Sequence, residues 1–207
     1  MSARLMSAHA FVYLASQSPR RAQLLDQLGV AHRPLLAGTD EDAEALEAVW
    51  PGEAAEGYVQ RVTALKLRAA VERLKRRGLP PAPVLCADTT VVLGRRILGK
   101  PADDQEAREM LQSLSGRSHR VLTAVALGHG GRCLTALSRS RVRFAAVEAA
   151  ALAAYVDSGE PRGKAGAYAI QSSAAQWIAH IEGSYSGIMG LPLHETAALL
   201  RELQVRF

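Results

Sequence analysis

One segment limits what this chain can become more than any other. Residues Val84–Leu93 read VLCADTTVVL, ten positions rich in β-branched types and free of Gly and Pro, with Asp88 at the centre. Such a run predicts a buried strand. Burying a carboxylate without a partner is costly, so Asp88 calls for a cation, a metal or a raised pKa. The plain alternative is an exposed sheet face or a strand end.

The flanking sequence supplies helices and further strands. Residues 10–15 (AFVYLA) form a short apolar run that breaks at Ser16-Gln17-Ser18-Pro19-Arg20-Arg21. Ser18 suits an N-cap, Pro19 the first helical position and Gly29 the stop. A strand is expected over 32–36, an acidic loop over 40–52, and a helix over 53–77 that ends before Gly78 and a proline cluster. After the turn 94–96, Ile97-Leu98 leads to Gly99-Lys100-Pro101, and Asp103 or Asp104 caps the next helix. Two strands, 119–127 and 133–147, surround a Gly-rich turn, and a helix follows over 149–157. Strands are expected at 167–171 and 177–181, and a last helix at 192–203. The alternation predicts an α/β fold with a mixed sheet.

The net charge of +5 and pI near 9.6 allow a polyanionic partner. No Lys/Arg block reaches five residues and aromatics are only 5%, which argues against a nucleic-acid platform. No apolar run approaches the roughly 18 residues of a spanning helix, and residues 1–7 lack a signal-like apolar stretch. Two cysteines, Cys86 and Cys133, cannot build a disulfide framework or a four-ligand zinc site. The cytoplasm is the expected location. Walker and G-x-G-x-x-G loops are absent, and Gly183-Ser184-Tyr185-Ser186-Gly187 has Tyr where a nucleophile elbow needs Ser.

Anion chemistry remains. Ser16, Ser18, Arg20 and Arg21 lie on a strand-to-helix turn, where free N–H groups and the positive helix end favour phosphate. Arginine forks add bidentate donors. Taken alone, the pattern is weak and better describes a capped surface helix with solvated arginines. Arg outnumbers Lys 21 to 4, so each of the four lysines, Lys66, Lys75, Lys100 and Lys164, stands out as a compact point charge or as a residue kept by chance on a solvated face. Glu41 and Asp88 could supply carboxylates for a metal, and the cations could hold a triphosphate.

The runs LASQSPRR (14–21), ADT (87–89), LGKP (98–101), LSG (114–116), KAGAYAIQ (164–171) and GLP (190–192) together resemble the Maf family of nucleoside triphosphate pyrophosphatases. The resemblance spans nearly the whole chain, treated as a single domain over 1–207 with residues 1–9 as an extension. It implies a mixed twisted sheet with flanking helices, two lobes about a central cleft, as in inosine triphosphatase-like proteins. It also implies release of pyrophosphate from a nucleoside triphosphate, assisted by a divalent cation, Mg or Mn. The pattern is most similar to the group acting on dTTP and UTP. That similarity makes Asp88 the catalytic base and associates Arg20, Thr89 and Gln171 with substrate choice. It maps the acidic metal or water-orienting position onto Glu41, and the lysines onto Lys66 and Lys100. Ser172-Ser173 and Ala169 stand where relatives usually carry Gly. A homodimer is left open, and so are a purine or modified nucleotide as substrate and a non-catalytic regulatory role in cell division.

Overall fold

A computed structural model describes residues 8–39, 41 and 45–207. The elements are β1 (Val12–Leu14), α1 (Pro19–Gln27), β2 (His32–Pro34), α2 (Ala55–Arg76), β3 (Val84–Leu93), β4 (Arg96–Leu98) and α3 (Asp104–Leu114). They continue with β5 (Ser118–His129), β6 (Arg132–Phe144), α4 (Ala149–Asp157), β7 (Ile178–Glu182), α5 (Tyr185–Met189) and α6 (Leu193–Glu202). One seven-stranded sheet has the order β2-β1-β3-β5-β6-β7, with β4 paired to β3. The first three strands run parallel, because α1 and α2 carry the chain back between them. From β3 onward the pairing is antiparallel. The β5–β6 hairpin turns on Gly130 and Gly131, both at positive φ, as a tight two-residue connection requires. This is the expected α/β fold with a mixed sheet and flanking helices.

Alternation along β3 sorts its side chains between two environments. Leu85 and Ala87 join Leu24 and Leu25 of α1 and Leu199 and Leu200 of α6 in one cluster. Val84 and Cys86 pack on Leu67, Ala70 and Leu74 of α2. Further along, Val91 belongs to a separate cluster with α3, α4, Phe144 and Trp177. The cluster with α1 and α6 therefore ends at Ala87 and the one with α3 and α4 begins at Val91. Asp88 and Thr89 fall in that interval, where the cleft lies.

One local expectation changes, and one motif acquires its structure. Residues 167–171 do not form a strand: Ala165–Ala167 is a 3-10 turn, and no strand follows before β7. Gly166 and Ala167 adopt φ +68 and +62, which curls the chain against Val91 instead of extending it. The GSYSG run becomes α5, whose cap is the Ser184 hydroxyl accepting the Gly187 N–H at 2.9 Å. The expected acidic stretch falls partly on Asp40, Asp42 and Glu44, outside the described residues. Among the described residues, no helix is long and apolar enough to cross a membrane.

Candidate active site

The β1–α1 turn, the mid-section of β3, the Gly99-Lys100 loop and residues 162–171 enclose a cleft of about 820 Å³. That volume lies in the range of small-molecule sites. Ser16, Ser18, Arg20, Arg21, Glu41, Lys66, Asp88, Thr89, Lys100 and Gln171 all line it. The sequence-predicted residues are thus brought to one place, although they do not all engage one another.

Asp88 has its cation. Its Oδ1 accepts from Lys66 Nζ at 2.5 Å, and no described residue bonds its second oxygen. Lys66 Nζ also donates to Glu47 at 2.7 Å, and Lys100 Nζ reaches the same carboxylate at 2.9 Å. Burial opposes the Lys66 charge, but Asp88 and Glu47 outweigh it and hold the lysine above its ordinary pKa. Burial likewise opposes ionisation of Glu47, yet Lys66 and Lys100 keep it below the usual carboxylate range. Tyr58, next to this cluster, is pushed up to about 12 by burial and by the two carboxylates.

The turn before α1 does not behave as a simple cap. Ser18 makes no side-chain cap bond, and its backbone N–H donates to Ser16 Oγ at 3.1 Å. Arg21 donates from Nε to the Gly190 carbonyl at 2.8 Å and from Nη1 to Ser16 Oγ at 3.1 Å. Its guanidinium ties α1 to the end of α5, and burial lowers its pKa. Arg20 has no carboxylate partner among the described residues. Lys164 lines the same cleft, donates to the Glu160 carbonyl, and is lowered by burial and by Arg20. Gln171 is exposed in the cleft.

Glu41 departs from its expected setting. Its carboxylate accepts from Arg73 Nε at 2.9 Å and Nη2 at 2.6 Å, and from Arg76 at 2.8 Å. The Arg73 fork at the end of α2 also donates to the Leu35 carbonyl at 2.8 Å. Bidentate geometry of this kind holds a carboxylate strongly. The carboxylate seated on Lys66 and Lys100 is Glu47, from the 3-10 turn Ala45–Glu47. Nothing in the sequence separated Glu47 from the other acids of its loop. Lys164 carried a signal as one of only four lysines, but no role was assigned to it.

The hydrogen bonds from Arg73 are the main reason that Glu41 titrates at about 2, against 4.5 ordinarily. A lowered folded-state pKa gives stability that is present above about pH 4.5 and is lost as pH falls toward 2. Glu41→Gln is expected to flatten that acid limb in urea midpoints measured from pH 2 to 6. A limb as steep as in the parent protein would place the acid sensitivity elsewhere.

One cleft in a mixed α/β fold is thus lined by both an ion-paired carboxylate and a cationic strand-to-helix turn. The chain belongs to the Maf family: the family model for Maf-like protein matches residues 11–203. A dTTP/UTP pyrophosphatase of Polaromonas sp. (strain JS666) is 66% identical over 196 residues, covering 95% of this chain and 97% of its own. Relatives with the same name from Albidiferax ferrireducens and Cupriavidus pinatubonensis are 63% and 61% identical. They cover 92% and 96% of this chain, and 96% and 100% of their own.

Proposed function

We propose that this chain hydrolyses dTTP and UTP to the monophosphate and pyrophosphate. The observation that carries the reading is Asp88, with one oxygen held by Lys66 and the other unbonded, inside a nucleotide-sized cleft that Arg20 also lines. The names of the relatives supply the substrate class. Asp88 takes a proton from water as the water oxygen bonds to the α-phosphorus. The bond from that phosphorus to the oxygen bridging the β-phosphorus breaks, and pyrophosphate leaves. Lys66, Lys100 and Arg20 stabilise the charge that builds on the phosphate oxygens, acting as preorganised cations.

Among the described residues, no cluster of three or more His, Cys, Asp or Glu would hold a metal unaided. The donor set nevertheless fits a hard divalent ion of the Mg or Mn kind, which uses one or two carboxylates and fills its shell with phosphate oxygens and water. Asp88 is the carboxylate open to it, since arginines occupy both oxygens of Glu41. Bound there, the ion would polarise phosphate oxygens.

Gln171 offers an amide that both donates and accepts, matching the N–H and carbonyl edge of uracil or thymine. Gln171→Ala is expected to level the nucleotide preferences more than it lowers the maximal rate. An unaltered ranking would remove Gln171 from base reading. The overall proposal is tested by pyrophosphate release from a panel of pyrimidine and purine triphosphates, with Mg²⁺ and then with chelator. Preference for dTTP and UTP supports it, and no release from any nucleotide overturns it.

A further inference from the structure

We propose that Thr123, which does not line the cleft, fixes the hydroxyl of Thr89 so that Thr89 meets the nucleotide only as a hydrogen-bond acceptor. The inference rests on the proposed nucleotide site. Thr123 is directly opposite Thr89 in the β3–β5 register, and it is only 1% exposed. Its Oγ1 lies 2.7 Å from the Gly187 carbonyl and 3.0 Å from Thr89 Oγ1.

A hydroxyl carries one proton and two lone pairs. The Gly187 carbonyl can only accept, so the Thr123 proton goes there. The contact between the two threonines must then be a donation from Thr89 to Thr123. Arg21 Nη2 approaches Thr89 Oγ1 at 3.5 Å and can only donate, which takes up one Thr89 lone pair. Thr89 lines the cleft with no proton left for it, and one lone pair remains for a ligand.

The carbonyl that sets this direction is held firmly. A Cβ on Gly187 would come within 2.8 Å of Ser138 Oγ, so the first turn of α5 sits flush on the sheet. The N-cap bond from Gly187 to Ser184 fixes the same turn.

An acceptor-only hydroxyl disfavours phosphate oxygens, carbonyls and unprotonated ring nitrogens. It favours a ligand N–H or O–H. A pyrimidine nucleotide offers two such groups, the imide N–H of uracil or thymine and a sugar hydroxyl. The imide source would make Thr89 a filter against cytosine, whose corresponding nitrogen is an acceptor.

The test measures dissociation constants of α,β-methylene nucleotides, so binding is read without turnover. One arm compares the UTP and CTP analogues, and the other compares dTTP analogues with and without the 3′-hydroxyl. Thr123→Val keeps the side-chain shape, removes the relay and frees the Thr89 proton. It is expected to compress the UTP-to-CTP ratio by about tenfold, the scale of one buried hydrogen bond, and to leave the 3′-hydroxyl ratio in place, because a sugar hydroxyl can accept from the freed proton as well as donate. Thr123→Ser should restore the UTP-to-CTP ratio. In a Thr89→Val background, Thr123→Val should have no further effect on it. An unchanged UTP-to-CTP ratio overturns the inference, and so does an equal effect with Thr89 absent, which a merely structural threonine would give. Failure of the parent protein to release pyrophosphate would instead overturn the proposed function, while the binding ratios would still decide the role of Thr123.

Discussion

Asp88→Asn is expected to lower turnover by about 10² to 10⁴, the usual worth of a positioned base, with nucleotide affinity nearly intact. The amide carbonyl can still accept the Lys66 hydrogen bond, so the lysine stays in place. Lys66 also keeps its contact with Glu47. What disappears is the oxygen able to take a proton from water. Pyrophosphate release under saturating nucleotide measures the first quantity, and calorimetric titration of a non-hydrolysable analogue measures the second. Near-parental turnover would remove Asp88 from the role of base. A parallel collapse of binding would mean that its charge mainly organises the cations.

Gly166→Ala is expected to produce the largest loss of stability. Gly166 has φ +68, and an added Cβ would come within 2.8 Å of Val91 Cγ1 and within 2.9 Å of two more Val91 atoms. Val91 cannot rotate aside freely, because it is β-branched and 3% exposed in the cluster with α3 and α4. Left-handed backbone costs a non-glycine residue about 1–2 kcal/mol, and overpacking typically adds about 1–3. The combined loss, about 2–5 kcal/mol, is a large share of the stability of an ordinary domain. A fall in Tm of about 10 °C is the corresponding reading by calorimetry. Pairing the change with Val91→Ala should recover only the part owed to the two valine methyls, leaving the backbone part and the contact with the remaining Cβ at 2.9 Å. A shift under 2 °C for the single variant, on the order of measurement scatter, would show that the turn yields easily. Gly166 also donates its N–H to the Gly99 carbonyl at 3.0 Å, so the displacement reaches the residue before Lys100.

These residues also show what the linear chain discloses. The strand around Asp88 was legible because ten β-prone residues without a breaker leave no competing structure. The start of α1 was legible from Ser18-Pro19, since proline at the first helical position sacrifices no hydrogen bond. The turn at 165–167 was not: AYAIQ reads as extended, and the positive φ values that curl the chain come from packing on a strand about 75 residues earlier. Glu47 was hidden for a similar reason. Its identity as the carboxylate beside Lys66 depends on which loop acid reaches α2, and alternation of residue types does not encode that. Thr123 looks like any β-branched strand residue until Gly187 is brought beneath it by α5.

Glu47 has a final consequence for how the cleft attracts its ligand. Lys66 and Lys100 face Asp88 and Glu47, so two positive and two negative groups cancel formally at the cleft floor. A polyanion arriving from solvent is therefore drawn by the lining cations without a carboxylate salt bridge among the described residues, Arg20 and Lys164 among them. Long-range capture and short-range grip are divided between different cations, and added salt weakens the former well before the latter.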